Sequence, residues 1–121
     1  DAKILGITHY DGPINAFLQS PIFATSKLLN KLQLKKEDIT VFEVSESFVA
    51  MPIVFMRAFN LNHDKVNING GACALGHPIG ATGARIVTTL THALHANKKE
   101  LGVASLCIGG GEAIALALSA V

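Results

Sequence analysis

The sequence has almost no excess charge, few cysteines and no long hydrophobic run. Its 121 residues carry 10 Lys and Arg against 9 Asp and Glu, a formal net charge of +1. Because binding to nucleic acid depends on a concentrated positive field, this balance argues against a nucleic-acid partner. No apolar stretch reaches the roughly 20 residues that a membrane-spanning helix requires, so no membrane partner is expected.

Cysteine is also scarce, with only Cys73 and Cys107 present. Their spacing does not fit the disulfide framework of a small secreted domain, so we expect two thiols in a soluble intracellular protein, in the cytoplasm or the mitochondrial matrix. The chain starts at Asp1 with neither an initiator methionine nor a signal pattern, which predicts a piece of a longer protein. Its length fits one domain.

Strand and helix patterns alternate along the chain. Four apolar runs are typical of strands: Ile4–Thr8, Ile39–Val44, Leu101–Ile108 and Ala113–Ala120. The last run is rich in Ala and Leu, and its periodicity alone is also compatible with a helix. Apolar side chains at helical spacing predict three helices, over residues 20–32, 48–59 and 86–95. We expect Ser20 and Ser45 to cap the first two helices, and Pro52 to kink the second or delay its regular part. This order implies a mixed α/β sheet covered by helices.

The sharpest candidate for chemistry is the segment Gly76-His77-Pro78-Ile79-Gly80. Pro78 restricts the backbone of His77 to extended conformations, and the glycines allow another chain or a ligand to approach closely. A stiff loop of this kind is often how a catalytic histidine is presented. The alternative is a surface histidine without a role, and the segment alone leaves both open.

A second candidate is Cys107, which ends an apolar run directly before Gly109-Gly110-Gly111. A thiol beside free backbone N–H groups suits work on an acyl group, because those amides can hold the developing oxyanion. The alternative is a buried strand cysteine beside a tight turn. Three unusual segments, residues 45–48, 69–83 and 107–112, follow strands or form loops, so we expect them to meet at one edge of the sheet.

Other apparent motifs are weaker. His92 and His95 share a helix face but lack a neighbouring carboxylate or cysteine at ligand spacing, so no metal site is predicted. The glycine-rich stretch over residues 76–83 lacks the Lys-Ser/Thr ending of a phosphate-binding loop. Small apolar neighbours favour a packing role for Cys73.

Two segments carry a family resemblance. The segment Val66–Arg85, VNINGGACALGHPIGATGAR, resembles the histidine-loop signature of thiolases, and Leu106–Glu112, LCIGGGE, resembles their C-terminal cysteine signature. Val44–Phe48, VSESF, takes the place of the family's Asn-Glu-Ala-Phe segment. The resemblance covers essentially the whole chain, and its histidine loop is most similar to that of acetyl-CoA acetyltransferases. It implies the fold of a thiolase C-terminal domain, a mixed five-stranded sheet covered by helices.

The resemblance also implies an activity. Thiolases make or cleave β-ketoacyl-CoA in two acyl transfers through a cysteine of an N-terminal domain, which residues 1–121 do not contain, so the isolated chain is expected to be inactive. Cys107 would be the acid-base that moves a proton at the α-carbon of acetyl-CoA, and His77 would help to activate the missing nucleophile. Acetyl-CoA and acetoacetyl-CoA would be the substrates, without a further cofactor, in a full-length homodimer or homotetramer.

The remaining site residues also come from the resemblance. The N–H of Gly109 would contribute to an oxyanion hole, and Ser45 and Phe48 would lie at the substrate. Ser45 stands where most thiolases have an asparagine that holds a water, and Ser47 replaces the usual alanine. A ketoacyl synthase is a disfavoured alternative because of Cys107. A non-catalytic thioester-binding or oligomer-forming domain of the same fold is the alternative from another class.

Overall fold

A four-stranded mixed sheet forms the centre of the structure, a computed structural model that describes residues 1–121. The strands are β1 (Ala2–Tyr10), β2 (Val41–Val44), β3 (Leu101–Cys107) and β4 (Ala113–Ala120). Their order across the sheet is β1-β4-β3-β2. β4 is antiparallel to both of its neighbours, and β2 is parallel to β3. The two central strands are therefore the two predicted at the end of the sequence.

Helices cover both faces of this sheet. They are α1 (Ser20–Leu32), α2 (Ala50–Phe59), the single turn α3 (Ala72–Leu75) and α4 (Thr82–Ala96). α1 packs against β1, β3 and β4 on one face, and α4 packs against β2 and β3 on the other. None of these helices combines the length and the apolar composition needed to cross a bilayer.

Strand β3 is buried on both faces because its side chains alternate between two cores. Val103 and Cys107 belong to the larger core under α1 and α2, and Ala104 belongs to the smaller core under α4. At Gly102 an added Cβ would lie 2.6 Å from a methyl group of Leu90, so glycine allows α4 to approach the sheet closely. The thiol of Cys107 is thereby placed at the end of a strand with little freedom to move.

The five-stranded sheet implied by the family resemblance is wrong, because the sheet has four strands. The extended segment that begins at Val66 contributes only one isolated parallel bridge, to Phe42. Asn67, the next residue, has a φ of 50°, which is incompatible with a continuing strand. Its side-chain amide makes the hydrogen bonds to β2 that the backbone of a fifth strand would make: Oδ1 accepts the N–H of Val44 at 2.8 Å, and Nδ2 donates to the carbonyl of Val44 at 3.0 Å.

The predicted serine caps are also wrong. Ser20 is already helical, and its hydroxyl donates to the carbonyl of Phe17 at 2.9 Å. Ser45 lies five residues before the start of α2. The N-cap residue of α2 is Val49, and no side chain caps this helix. Pro52 falls in the first turn of α2, where an N–H has no intrahelical acceptor, so it fits the helix there.

Candidate active site

The parallel pairing of β2 and β3 places their carboxyl ends at the same edge of the sheet, where ligands commonly bind in α/β folds. A cleft of ≈ 670 Å³ opens at this edge. Its walls come from the three segments that follow β2, precede α4 and follow β3, together with the loop after β1. The lining residues are Ile14, Phe17, Ser47, Phe48, His77, Ile79, Thr82, Leu106, Cys107, Ile108 and Gly109.

The centre of the cleft is a contact among three polar side chains. The hydroxyl of Ser47 lies 3.3 Å from Nε2 of His77 and 3.3 Å from Sγ of Cys107. His77 is exposed at the rim, whereas Cys107 is 8% exposed. The structure therefore brings together the two candidates singled out from the sequence, with Ser47 between them.

The ring of His77 is held from behind by Thr82, the first residue of α4. Oγ1 of Thr82 lies 2.9 Å from Nδ1 of His77 and also donates to the carbonyl of Pro78 at 3.1 Å. Gly76, with a φ of 92°, starts the turn that carries the histidine. Thr82 is buried, so this support is shielded from solvent.

Glu46 ties the histidine loop to the end of β2. One carboxylate oxygen accepts from Nδ2 of Asn67 at 2.8 Å and the other accepts the N–H of Cys73 at 2.9 Å. An added Cβ at Gly71 would overlap this carboxylate, so glycine is needed there. Burial raises the pKa of Glu46, but the hydrogen bonds from Cys73 and Asn67 and the charge of Arg85 outweigh that effect and lower the pKa below 4.5.

Ser45 lies behind the cysteine and not in the cleft. It is 1% exposed, and its hydroxyl accepts the backbone N–H of Cys107 at 3.3 Å. The same oxygen lies 4.0 Å from Sγ of Cys107 and 3.6 Å from Sδ of Met51. The contacts of Ser45 are therefore with Cys107 and Met51, away from the cleft.

Gly109 offers a backbone donor to the cleft. The N–H groups on either side are engaged with Glu112: Ile108 donates to its carbonyl at 3.0 Å, and Gly110 donates to its carboxylate at 3.1 Å. The N–H of Gly109 has no acceptor within the chain, and its φ of 110° is one that glycine adopts readily. This donor is free for a ligand oxygen.

Phe48 forms part of the apolar wall. Its ring is 61% exposed and meets the ring of Phe17 edge to face, with the centroids 5.8 Å apart. Ile79 and Ile108 are also strongly exposed at this rim. The cleft therefore combines a few polar groups with a largely apolar lining, which is typical of small-molecule sites.

An ion pair is buried next to the site without lining it. Glu43 on β2 is fully buried, and its carboxylate lies 3.7 Å from Nη1 of Arg85 on α4. Burial raises the pKa of Glu43 to about 7; Arg85 opposes this shift and Glu46 adds to it.

Two sequence predictions concern residues outside the cleft, Cys73 and His95. Cys73 is exposed, so the packing role predicted for it is wrong, and a hydrogen bond with Glu46 raises the pKa of its thiol. His95 contacts the carbonyl of Asp1 at 2.6 Å, and no group of three His, Cys, Asp or Glu side chains is arranged to hold a metal ion. The sequence analysis did not identify Thr82. Its position at the start of α4, five residues after His77, is the signal that could have indicated a contact with the histidine.

Cys107 at the end of β3, His77 in the loop before α4 and the free N–H of Gly109 meet in one cleft, and the fold around them is that of the thiolase class. The family described as "Thiolase, C-terminal domain" matches residues 1–120. The chain belongs to this family.

Individual relatives agree with that assignment. The chain is 50% identical over 117 residues to an acetyl-CoA acetyltransferase of Synechocystis sp., which covers 95% of this chain and 30% of the relative. Its structure is similar to a thiolase from Ascaris suum in complex with coenzyme A (TM-score 0.93, 41% identity) and to the Bacillus anthracis acetyl-CoA acetyltransferase (TM-score 0.95, 38% identity). These matches cover 99% of this chain and 31% and 30% of the two solved chains. The chain thus spans about a third of the length of its relatives.

Proposed function

We propose that the chain is the C-terminal part of a thiolase that transfers acyl groups between coenzyme A thioesters, joining two acetyl-CoA into acetoacetyl-CoA or catalysing the reverse thiolysis. The observation that carries this proposal is the cleft in which Cys107 and His77 meet through Ser47 beside the free N–H of Gly109. The names of the relatives and the coenzyme A in the Ascaris suum complex support the substrate class.

The nucleophile belongs to an N-terminal domain in this proposal. Two-step acyl transfer needs a cysteine that becomes acylated. The thiolase resemblance gives Cys107 the acid-base role and not that of the nucleophile, and Cys73 lies exposed outside the cleft. The 121 residues are therefore expected to be inactive by themselves.

Each group in the cleft has a distinct task. Cys107 as a thiolate removes a proton from the α-carbon of the second acetyl-CoA, and as a thiol it returns that proton in thiolysis. Nε2 of His77 faces the cleft, where it accepts a proton from the incoming nucleophile and, once protonated, donates to the thioester oxygen. The N–H of Gly109 holds the oxygen that gains negative charge. Phe48 and the apolar rim exclude water from these steps.

Acetoacetyl-CoA thiolysis by the full-length protein tests the proposal. Cys107→Ala and His77→Ala should each lower the rate by about 10²–10⁴-fold, as expected for loss of a positioned proton donor or acceptor. Cys73→Ala is the matched control, because it removes the exposed thiol of the same domain and should retain the rate.

An inactive wild-type protein that still binds coenzyme A would instead support a thioester-binding domain without catalysis. If the wild type is active and Cys107→Ala retains its rate, the role given to Cys107 is wrong.

A further inference from the structure

The hydroxyl of Ser47 occupies the space between the two titratable groups of the cleft. It lies 3.3 Å from Sγ of Cys107 and 3.3 Å from Nε2 of His77, and the structure shows no direct hydrogen bond between those two side chains. A serine hydroxyl donates one hydrogen and accepts others through its lone pairs, so it can link a donor on one side to an acceptor on the other.

The direction of this link is set by Thr82. Its hydroxyl has one hydrogen, and we assign the donation of that hydrogen to the carbonyl of Pro78 at 3.1 Å. Oγ1 of Thr82 must then accept from Nδ1 of His77 at 2.9 Å. In the neutral ring the hydrogen is therefore on Nδ1, and Nε2 is a bare acceptor that faces Ser47.

The hydrogen bonds continue in the same direction to the cysteine. If Nε2 is an acceptor, the hydroxyl of Ser47 donates to it, and its lone pairs are left to accept from the S–H of Cys107. The hydrogen bonds then run in one direction from Cys107 through Ser47 to His77, and from His77 through Thr82 to Pro78.

We propose that Ser47 relays a proton from Cys107 to His77, so that the thiol becomes the thiolate required for proton abstraction. In this step the S–H bond of Cys107 and the O–H bond of Ser47 break, while a new O–H bond forms on Ser47 and an N–H bond forms on Nε2 of His77. Ser47 ends unchanged, the cysteine is anionic and the imidazole is cationic. No oxidant or other reactant is needed.

The surroundings favour this relay. His77 and Cys107 are the only titratable side chains that line the cleft. Glu46, the neighbour of Ser47, is engaged with Asn67 and Cys73, and Glu112 is engaged with Gly110. No carboxylate therefore competes for the proton, and the partly buried hydrogen bond from Nδ1 to Thr82 stabilises the imidazolium.

The relay deepens the proposed function and rests on it for its purpose, but it can be tested without catalysis. Iodoacetamide reacts with the thiolate of cysteine, so the rate at which Cys107 is alkylated reports how readily it loses its proton. The rate is measured at neutral pH in the full-length protein without substrate, with peptides resolved by mass spectrometry. Cys73 in the same digest is the internal reference.

Ser47→Ala should slow alkylation of Cys107 by about tenfold, the effect of losing one hydrogen bond to a charged group. Ser47→Thr keeps the hydroxyl and should stay within about twofold of the wild type. His77→Ala should also slow the reaction, and Ser47→Ala in that background should add nothing, because both changes interrupt one path. Ser26→Ala, a change on α1 away from the cleft, should have no effect.

A slower reaction cannot come from loss of the fold, because unfolding would expose Cys107 and speed alkylation. Unchanged or faster labelling of Cys107 in Ser47→Ala would overturn the relay, and so would additive effects of Ser47→Ala and His77→Ala. These results are separate from the proposed function. An inactive protein with non-additive alkylation would contradict only the thiolase activity, and an active one with additive alkylation would contradict only the relay.

Discussion

Two serines that are neighbours in sequence act on opposite sides of the same cysteine. Ser45 points into the protein and accepts the backbone N–H of Cys107, whereas Ser47 points into the cleft and contacts the sulfur. The end of β2 accounts for this difference. Side chains two residues apart point to the same side in a regular strand, but β2 ends at Val44 and the chain bends at Ser47 towards α2. The hydroxyl of Ser45 therefore supports the backbone of Cys107, and the hydroxyl of Ser47 contacts its reactive sulfur.

The support given by Ser45 has a measurable consequence for stability. Ser45→Ala leaves the N–H of Cys107 buried without an acceptor, which should lower the free energy of unfolding by about 1–3 kcal/mol. Urea unfolding of the wild type and the variant measures the difference, with Ser26→Ala as the control for a serine that has no such partner. Equal midpoints for all three proteins would show that the N–H of Cys107 is satisfied in another way.

The buried carboxyl of Glu43 gives a second prediction, with a defined sign. Because its folded pKa of about 7 lies above the ordinary 4.5, the folded state binds more protons between these values. The stability contributed by Glu43 is therefore fully present below pH 4.5 and is lost as the pH rises through 7. Between about pH 5 and pH 8 the loss should be about 2–3 kcal/mol.

Glu43→Gln isolates this effect, since glutamine keeps the shape and an acceptor for Arg85 but does not titrate. Unfolding free energies of both proteins are measured across that pH range. All other residues are identical in the two proteins, so the difference between the profiles isolates position 43. We expect the variant's profile to be flatter by the amount given above, and parallel profiles would mean that Glu43 is already ionised throughout.

At the scale of elements, the turn between β3 and β4 positions the end of β3 against the loop that follows β1. Gly109 and Gly111 both have a positive φ, of 110° and 108°, but their surroundings differ. A Cβ at Gly109 would meet nothing within 4 Å, whereas a Cβ at Gly111 would lie 2.6 Å from the carbonyl oxygen of Pro13 and also press on that of Gly12. Gly111 is thus where the two loops touch.

Alanine substitutions at Gly109 and Gly111 distinguish the cost of backbone strain from the cost of a steric clash. Gly109→Ala should cost about 1–2 kcal/mol of stability, from the backbone conformation alone. Gly111→Ala should cost about 1–3 kcal/mol more, because the loop after β1 must move. Thermal or urea unfolding measures both variants, and a cost for Gly109→Ala as large as that for Gly111→Ala would contradict the close approach seen here.

Much of this arrangement follows from sequence patterns. The apolar run of β3 and the apolar spacing in α1 and α4 predicted these elements to within a few residues. The placement of His77 in a loop and of Cys107 at a strand end predicted that the two residues would lie at the same edge of the sheet. The failures are long-range contacts. The fifth strand is replaced by the Asn67 amide bonded to Val44, and no local pattern marks a side chain that takes over a backbone ladder.

The site itself shows the same limit. The sequence indicates Ser47 only as a replacement for alanine, because its contact with His77 spans 30 residues of sequence and its contact with Cys107 spans 60. The family resemblance predicts Ser45 at the substrate, whereas contacts with Met51 and Cys107 turn its side chain inward.

For the whole molecule, the main unexplained feature is apolar surface on the edge strand β1. Ile4 is 56% exposed and Ile7 is 48% exposed, and α4 covers β2 and β3 on its face of the sheet. Soluble monomers rarely leave such a patch open. In a thiolase with an N-terminal domain, that domain is our proposed cover for this surface.

The isolated 121-residue chain should therefore associate with itself and bind a hydrophobic dye. Ile4→Lys combined with Ile7→Lys should shift sedimentation towards the monomer and weaken dye fluorescence, because charge on an exposed edge opposes pairing. Ile14→Lys is the matched control: this side chain is 72% exposed but lies at the cleft, away from β1, and it should leave association unchanged. If Ile14→Lys disperses the chain and the β1 changes do not, the cleft rim and not β1 is the surface that holds the copies together. A wild-type chain that sediments as a monomer and binds no dye would show that neither surface needs a cover.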